Sequence, residues 1–243
     1  MILTDKRELI NILKPGDIIL TNERGTEWFT PLIKISNFYK VGYKNRGWEH
    51  SILYLGQDRI VEANPDGITS SSLVEDYFGG YCNFVVLRHK FATQDAIDRW
   101  TKFCLFLRGK EYDFKAFVYF IFYSIFPTSL HFLLGKDSDD SCFNIKDAFF
   151  CAELIASGMR EANIYCFERA PSKIRPIDFY NELIFDVVAT YEEPNKDSKF
   201  IYKLKRFFIF SGYLFVSILT PIILFIPFIC YQLYLKNKKN ETK

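Results

Sequence analysis

The chain has 243 residues, 49% of them hydrophobic, enough for one domain that mixes helices and strands, with a further segment beside it. A formal net charge of +2 supplies no basic field for a nucleic acid partner. Six cysteines without C-x-x-C spacing exclude an ordinary zinc site and suit a reducing compartment, so no metal or cofactor is expected.

In chain order, residues 1–12 read as a short amphipathic helix, 17–20 as a strand, and 28–38 as a helix carrying Phe29, Leu32, Ile33 and Ile35. Residues 48–63 read as a hairpin. The run from His50 to Leu55 alternates apolar and polar side chains, Gly56-Gln57-Asp58 is turn chemistry, and Arg59-Ile60-Val61 is β-rich. A turn centred on Gln57 makes residue 52 oppose 62 and residue 50 oppose 64, so His50 and Glu62 become diagonal neighbours on one face. Tyr54 shares that face. Glu62 is therefore the expected orienter of His50; of its rivals, Asp58 sits in the turn and Glu49 points to the opposite face. Another strand covers 83–87. Thr93 caps a helix running to Leu107, with Asp95 in its first turn and Gly109 beyond its end.

Residues 116–134 are uncharged and dense in aromatics, with Pro127 and His131 among them. This apolar insertion suits a segment at the lipid headgroup boundary or the wall of an acyl-chain pocket; a core helix covering the sheet is the alternative. The polar loop Lys136-Asp137-Ser138-Asp139-Asp140-Ser141 follows and lacks the rest of a calcium-loop pattern.

Phe149-Phe150 then gives way to Cys151-Ala152-Glu153-Leu154-Ile155, where Leu154, Ile155, Met159 and Ala162 recur at helical spacing. Cys151 opens that helix, whose free N–H groups and partial positive charge favour a thiolate and can donate to an oxyanion. A thiol needs an imidazole base, and the imidazole needs an orienting group, so Cys151, His50 and Glu62 form a candidate catalytic trio. Tyr54 and Asp17 are candidates for substrate or oxyanion contacts. Cys82, Cys104, Cys142, Cys166 and Cys230 lack a matching His and a helix start and are expected to be small buried hydrophobes. His89 and His131 are expected at the surface or an interface. A loop containing Pro171 and Pro176, a short helix near 177–183 and a strand near 184–190 complete the domain, 1–192.

Taken jointly and in order, several segments resemble the circularly permuted papain-like branch of the NlpC-type superfamily. They are Leu13-Lys14-Pro15-Gly16-Asp17-Ile18-Ile19-Leu20, the H-x-x-x-Y-x-G of His50, Tyr54 and Gly56, and Glu62-Ala63. Gly109-Lys110-Glu111-Tyr112-Asp113-Phe114, Phe150-Cys151-Ala152-Glu153-Leu154-Ile155 and Arg175-Pro176-Ile177-Asp178-Phe179-Tyr180 follow. The resemblance covers residues 10–185, and His before Cys is the permutation signature. It implies an α+β permuted papain-like domain with an antiparallel sheet and helices, in which Cys151 is nucleophile, His50 base and Glu62 the third polar residue. Relatives of lecithin:retinol acyltransferase usually carry a second His at the third position and an Asn-Cys-Glu-His motif. Glu62 and Phe-Cys-Ala-Glu bring this chain closer to the YiiX-like group.

Residues 207–235 carry no charge and are flanked by Lys199, Lys203, Lys205, Arg206 and by Lys236, Lys238, Lys239. Twenty-nine helical residues would measure about 43 Å against a hydrocarbon core of about 30 Å. With Pro221 and Pro227, this is expected to be a C-terminal membrane segment, a single kinked span first and a re-entrant hairpin second, with a buried core helix as the alternative. Residues 193–206 form its linker and 236–243 a basic tail. The basic clusters suggest anionic lipid headgroups as partners. Met1 to Leu13, broken by Asp5, Lys6, Arg7 and Glu8, shows no signal peptide, so the catalytic domain is expected in the cytosol. The functional expectation is a membrane-anchored thiol hydrolase or acyltransferase acting on a lipid-linked ester or amide. A cysteine peptidase or amidase acting on cell-wall or isopeptide bonds and a non-catalytic membrane scaffold are the alternatives.

Overall fold

Alternating side chains along the strands give the sheet two apolar faces, and each face is covered by helices. The computed structural model describes residues 1–3, 5–23, 48–80, 82–113, 148–164 and 167–193. The chain divides into two units, Met1–Glu193 and Pro194–Lys243, and the second lies outside the described residues. So do the expected helix at 28–38, the aromatic insertion at 116–134 and the apolar run at 207–235. Among the described residues no helix is long and apolar enough to cross a membrane.

The elements are β1 (Ile2–Leu3), α1 (Glu8–Ile12), β2 (Ile18–Glu23), β3 (His50–Gly56), β4 (Arg59–Asn64), β5 (Gly67–Ser72) and α2 (Leu73–Tyr77). Then come β6 (Cys82–His89), α3 (Gln94–Phe106), β7 (Glu111–Tyr112), β8 (Ala148–Phe149), α4 (Cys151–Glu161), α5 (Pro176–Asn181) and β9 (Phe185–Tyr191). Seven strands form one sheet in the order β1-β9-β6-β2-β3-β4-β5, antiparallel except where β1 runs parallel to β9. β7 and β8 make a separate parallel pair. The domain is thus α+β with a mostly antiparallel sheet.

Ile18, Leu20, Leu53, Val61 and Val85 face α3 and α4, packing on Trp100, Leu154, Ile155 and Met159. Ile19, Ile52, Ile60, Phe84 and Val86 face the other way, onto Leu9 of α1 and Leu73 and Tyr77 of α2. Thr93 caps α3 by accepting the Ala96 N–H at 3.3 Å, as its sequence position predicts. The expected helix over residues 1–12 is shorter. Residues 2–3 form a strand instead, because Ile2 and Leu3 pair with Thr190 and Tyr191 and the Thr190 N–H donates to Met1 O. β5 and α2 were not expected from the sequence. The run Thr69-Ser70-Ser71-Ser72 has no apolar alternation, and its strand character comes from pairing along the whole length of β4.

α4 is held against α3 by cross-helix contacts. Trp100 Nε1 donates to Ile155 O at 3.1 Å, and Cys104 Sγ approaches Leu154 O at 3.7 Å. The helices come this close because residue 158 is glycine: a Cβ there would lie 2.6 Å from both Cys104 Sγ and Trp100 Cδ1. Gly158→Ala is therefore expected to destabilise the domain by about 1–3 kcal/mol, as core overpacking does, and to lower the thermal midpoint by several degrees. Thermal unfolding monitored by tryptophan fluorescence checks this; an unchanged midpoint would mean that α3 and α4 part without cost. The contact matters for chemistry because Gly158 fixes the helix that begins at Cys151.

Candidate active site

The hairpin between β3 and β4 has the register that a turn centred on Gln57 predicts: Leu53 opposes Val61 and Tyr54 opposes Ile60. Gln57 and Asp58 form the loop with φ of 52° and 63°, the left-handed pair that a tight hairpin of this twist requires, and a bulge between Tyr54 and Gly56 absorbs the odd residue. Asp58 secures the turn, accepting from the Val74 N–H at 3.0 Å and from the Ser72 hydroxyl.

This register carries Glu62 to His50. His50 Nε2 lies 2.5 Å from Glu62 Oε2, which also accepts the Tyr77 hydroxyl at 2.5 Å. Glu62 is 5% exposed in its side chain and His50 24%, so the carboxylate is enclosed while the ring keeps an open side. Burial alone would raise the Glu62 pKa. The hydrogen bond and charge of His50, with hydrogen bonds from Tyr77 and Asn64, outweigh it and hold the carboxyl below its ordinary range. Tyr77 and Asn64 were not singled out from the sequence. Tyr77 reaches the site only because α2 folds onto this face of the sheet.

Cys151 comes from the other side. β8 ends at Phe149, Phe150 is extended, and the helix starts at Cys151. The Phe150 N–H donates to Glu153 Oε2 at 3.4 Å, the reciprocal contact that fixes a helix entry. The first N–H groups of α4 have no intrahelical acceptor, so donors and positive charge gather at the sulfur. Burial would push the Cys151 thiol up, but the charge and hydrogen bond of His50 and hydrogen bonds from Ser51 lower it below its ordinary value. The imidazole answers in kind. Burial lowers it, yet Cys151 and Glu62 together raise it well above an ordinary histidine. With Nε2 on the carboxylate, Nδ1 is the ring nitrogen left for the thiol proton. The arrangement favours a thiolate–imidazolium pair, and the two groups titrate as one unit.

The pairing of β7 with β8 brings Tyr112 near the sulfur, and the Asp113 N–H donates to Phe149 O at 3.3 Å. Tyr112 keeps its proton well beyond the usual range, through burial first and then the charges of Cys151, Glu153 and Asp113. Glu153 is pushed up to about 8 by burial; the Phe150 N–H opposes this and Asp113 adds to it. At neutral pH its carboxyl is therefore mostly uncharged, which spares the thiolate a nearby anion. Tyr112, Asp113 and Glu153 stand in segments that carry the resemblance, but no spacing rule linked the three to one another.

The other candidates make contacts of their own. Asp17 is buried against Arg88, which donates to it twice at 2.7 Å, and its Oδ2 accepts the Lys14 N–H at 2.8 Å. Tyr54 accepts the Asp58 N–H on its hydroxyl at 3.1 Å. The Asp17 carboxylate is thus held by Arg88 and the Tyr54 hydroxyl by the hairpin turn. Cys104 is enclosed between α3 and α4 and its thiol is pushed far up by burial, the reverse of Cys151. His89 Nδ1 accepts the Phe91 N–H at 3.1 Å, and its ring packs on Phe185. His131, Cys142, Cys166 and Cys230 lie outside the described residues. Among the described residues no cluster of His, Cys, Asp or Glu is arranged to hold a metal. No family model and no curated protein matches the sequence.

Proposed function

We propose that the protein is a thiol hydrolase or acyltransferase of permuted papain-like fold that works through a thioester on Cys151. One observation carries the reading: a buried thiol at a helix start meets an imidazole whose other nitrogen is held by a buried carboxylate. His50 Nδ1 takes the Cys151 proton, and the sulfur adds to the carbonyl carbon of an ester or amide. N–H groups at the start of α4, that of Cys151 among them, receive the developing oxyanion. The tetrahedral adduct collapses as the imidazolium gives its proton to the departing alkoxide or amine, leaving a thioester. His50 then takes a proton from water or an acceptor alcohol or amine, whose oxygen or nitrogen attacks the thioester and expels the Cys151 thiolate.

The substrate in this proposal is a membrane lipid or lipid-linked acyl group. Support for it comes from the uncharged run 207–235 with its basic flanks and the aromatic segment 116–134, which lies in the chain between the hairpin and Cys151. The membrane anchor and a cytosolic catalytic domain belong to the same proposal.

The test is incubation of the full chain with vesicles of mixed neutral and anionic phospholipids, followed by intact mass spectrometry before and after hydroxylamine. The proposal expects a hydroxylamine-sensitive acyl adduct in wild type and none in Cys151→Ala. An adduct that persists in the variant removes Cys151 as its carrier. Cleavage of soluble peptides without any lipid-derived adduct would assign the site to a peptidase, and absence of both would leave a scaffold.

A further inference from the structure

Ser51 sits between the two halves of the site without a visible purpose. It follows His50 on β3, and its position in the alternation puts it in the row of Leu53, which packs with Ala152, Leu154 and Ile155 of α4. Its side chain is fully buried, and its Oγ is among the few enclosed polar atoms with no nitrogen or oxygen partner among the described residues. A buried hydroxyl left in that state is costly, and alanine would fill nearly the same space without the penalty. The group facing it is the Cys151 sulfur, which both the Ser51 backbone N–H and its hydroxyl reach. A neutral thiol is a weak acceptor and gives such a donor little. A thiolate is a charged acceptor, and a hydrogen bond to it is worth about twice a neutral one.

We propose that Ser51 is a positioning residue whose hydroxyl donates to the Cys151 thiolate and holds the sulfur toward His50. The assignment rests on the thiolate reading of the site and adds a second support that is independent of the imidazolium charge. That support matters in the second half of the reaction. Expulsion of the thiolate from the tetrahedral intermediate requires a donor waiting for it, and His50 is then occupied with the proton of the incoming water or acceptor. The Ser51 hydroxyl has no competing partner among the described residues and is free to take the sulfur back.

Thiolate absorbance at 240 nm, followed against pH on the full-length chain with the Cys151→Ala background subtracted, tests this without a substrate. Wild type is expected to titrate below an ordinary thiol, whose reference value is about 8.5. Ser51→Ala should move that midpoint up by about one pH unit, a tenfold loss of thiolate near the midpoint, with far-ultraviolet circular dichroism unchanged. Ser51→Thr, which keeps the hydroxyl, should restore most of the shift and serves as the second variant. A midpoint in Ser51→Ala that coincides with wild type overturns the assignment, because a merely structural serine would alter stability and leave the titration in place. If wild type itself titrates as an ordinary thiol, the thiolate reading and this inference both fail. If wild type is low and only His50→Ala raises it, the inference alone fails.

Discussion

Cys151→Ser is expected to reduce acyl turnover by at least about 10⁴-fold while leaving the domain folded, because removing one member of a nucleophile–base unit removes nearly all that the unit contributes. A serine hydroxyl in the same place has an intrinsic pKa several units above a thiol, and a pair tuned to a thiolate does not ionise it. The fold should tolerate the exchange. Residue 151 is the first of α4, where a hydroxyl is acceptable, and the entry of the helix is secured by Phe150 and Glu153 rather than by the sulfur. The measurement is the burst and steady-state hydrolysis of p-nitrophenyl butyrate by the full-length protein in detergent, with the thermal midpoint taken on the same samples. A variant that keeps more than about a tenth of wild-type turnover would show that another group carries the acyl chemistry. Cys104→Ala is the matched control: its thiol is buried between helices, raised far from reactivity, and its loss should lower stability without touching turnover.

The sequence carried the hairpin because its register is a local problem. The two-residue period of a strand puts His50, Ile52 and Tyr54 on one face, a turn at Gln57 and Asp58 fixes the offset, and the His50–Glu62 contact follows from those two facts. Cys151 at a helix start was equally local, since the change from Phe149-Phe150 to a 3.6-residue period marks the boundary. What the sequence did not disclose depends on partners far away in the chain. Ile2 and Leu3 look like the start of an amphipathic helix until β9 offers them a strand to pair with. Gly67 to Ser72 has too many hydroxyls to read as a strand, and only its place beside β4 makes it one. Tyr77 reaches Glu62 because α2 lies across the sheet, and no periodicity in Leu73 to Tyr77 points to a carboxylate fifteen residues earlier. Asp17 and Tyr54 also have partners that the sequence did not show. Their segments match the resemblance, and their polar groups are engaged, Asp17 by Arg88 and Tyr54 by the hairpin turn. Ser51 shows the converse, a residue passed over as the polar step of a strand whose importance lies in having no partner except the sulfur.

His50→Ala is expected to have the second largest effect, a loss of about 10³-fold or more in p-nitrophenyl butyrate turnover at pH 7, and its pH profile is more telling than its size. In wild type, burial acting on Cys151 is opposed chiefly by the positive charge of His50. Removing that charge leaves the burial, so the thiol midpoint must rise, above an ordinary cysteine if the cavity stays dry. The acid limb of thiolate formation then moves to higher pH. The alkaline limb, which in wild type reports loss of the imidazolium proton well above the usual histidine range, should disappear. Glu62→Gln gives the graded case. The amide still holds Nε2 but no longer supplies charge, so His50 loses one of its two supports; its midpoint falls while Cys151 continues to raise it, and the alkaline limb shifts down without vanishing. The order expected in thiolate midpoint is wild type lowest, Glu62→Gln between, His50→Ala highest. A His50→Ala midpoint at or below wild type would mean that the helix start and Ser51 alone ionise the sulfur, and the imidazole would then have to be reassigned from base to bystander.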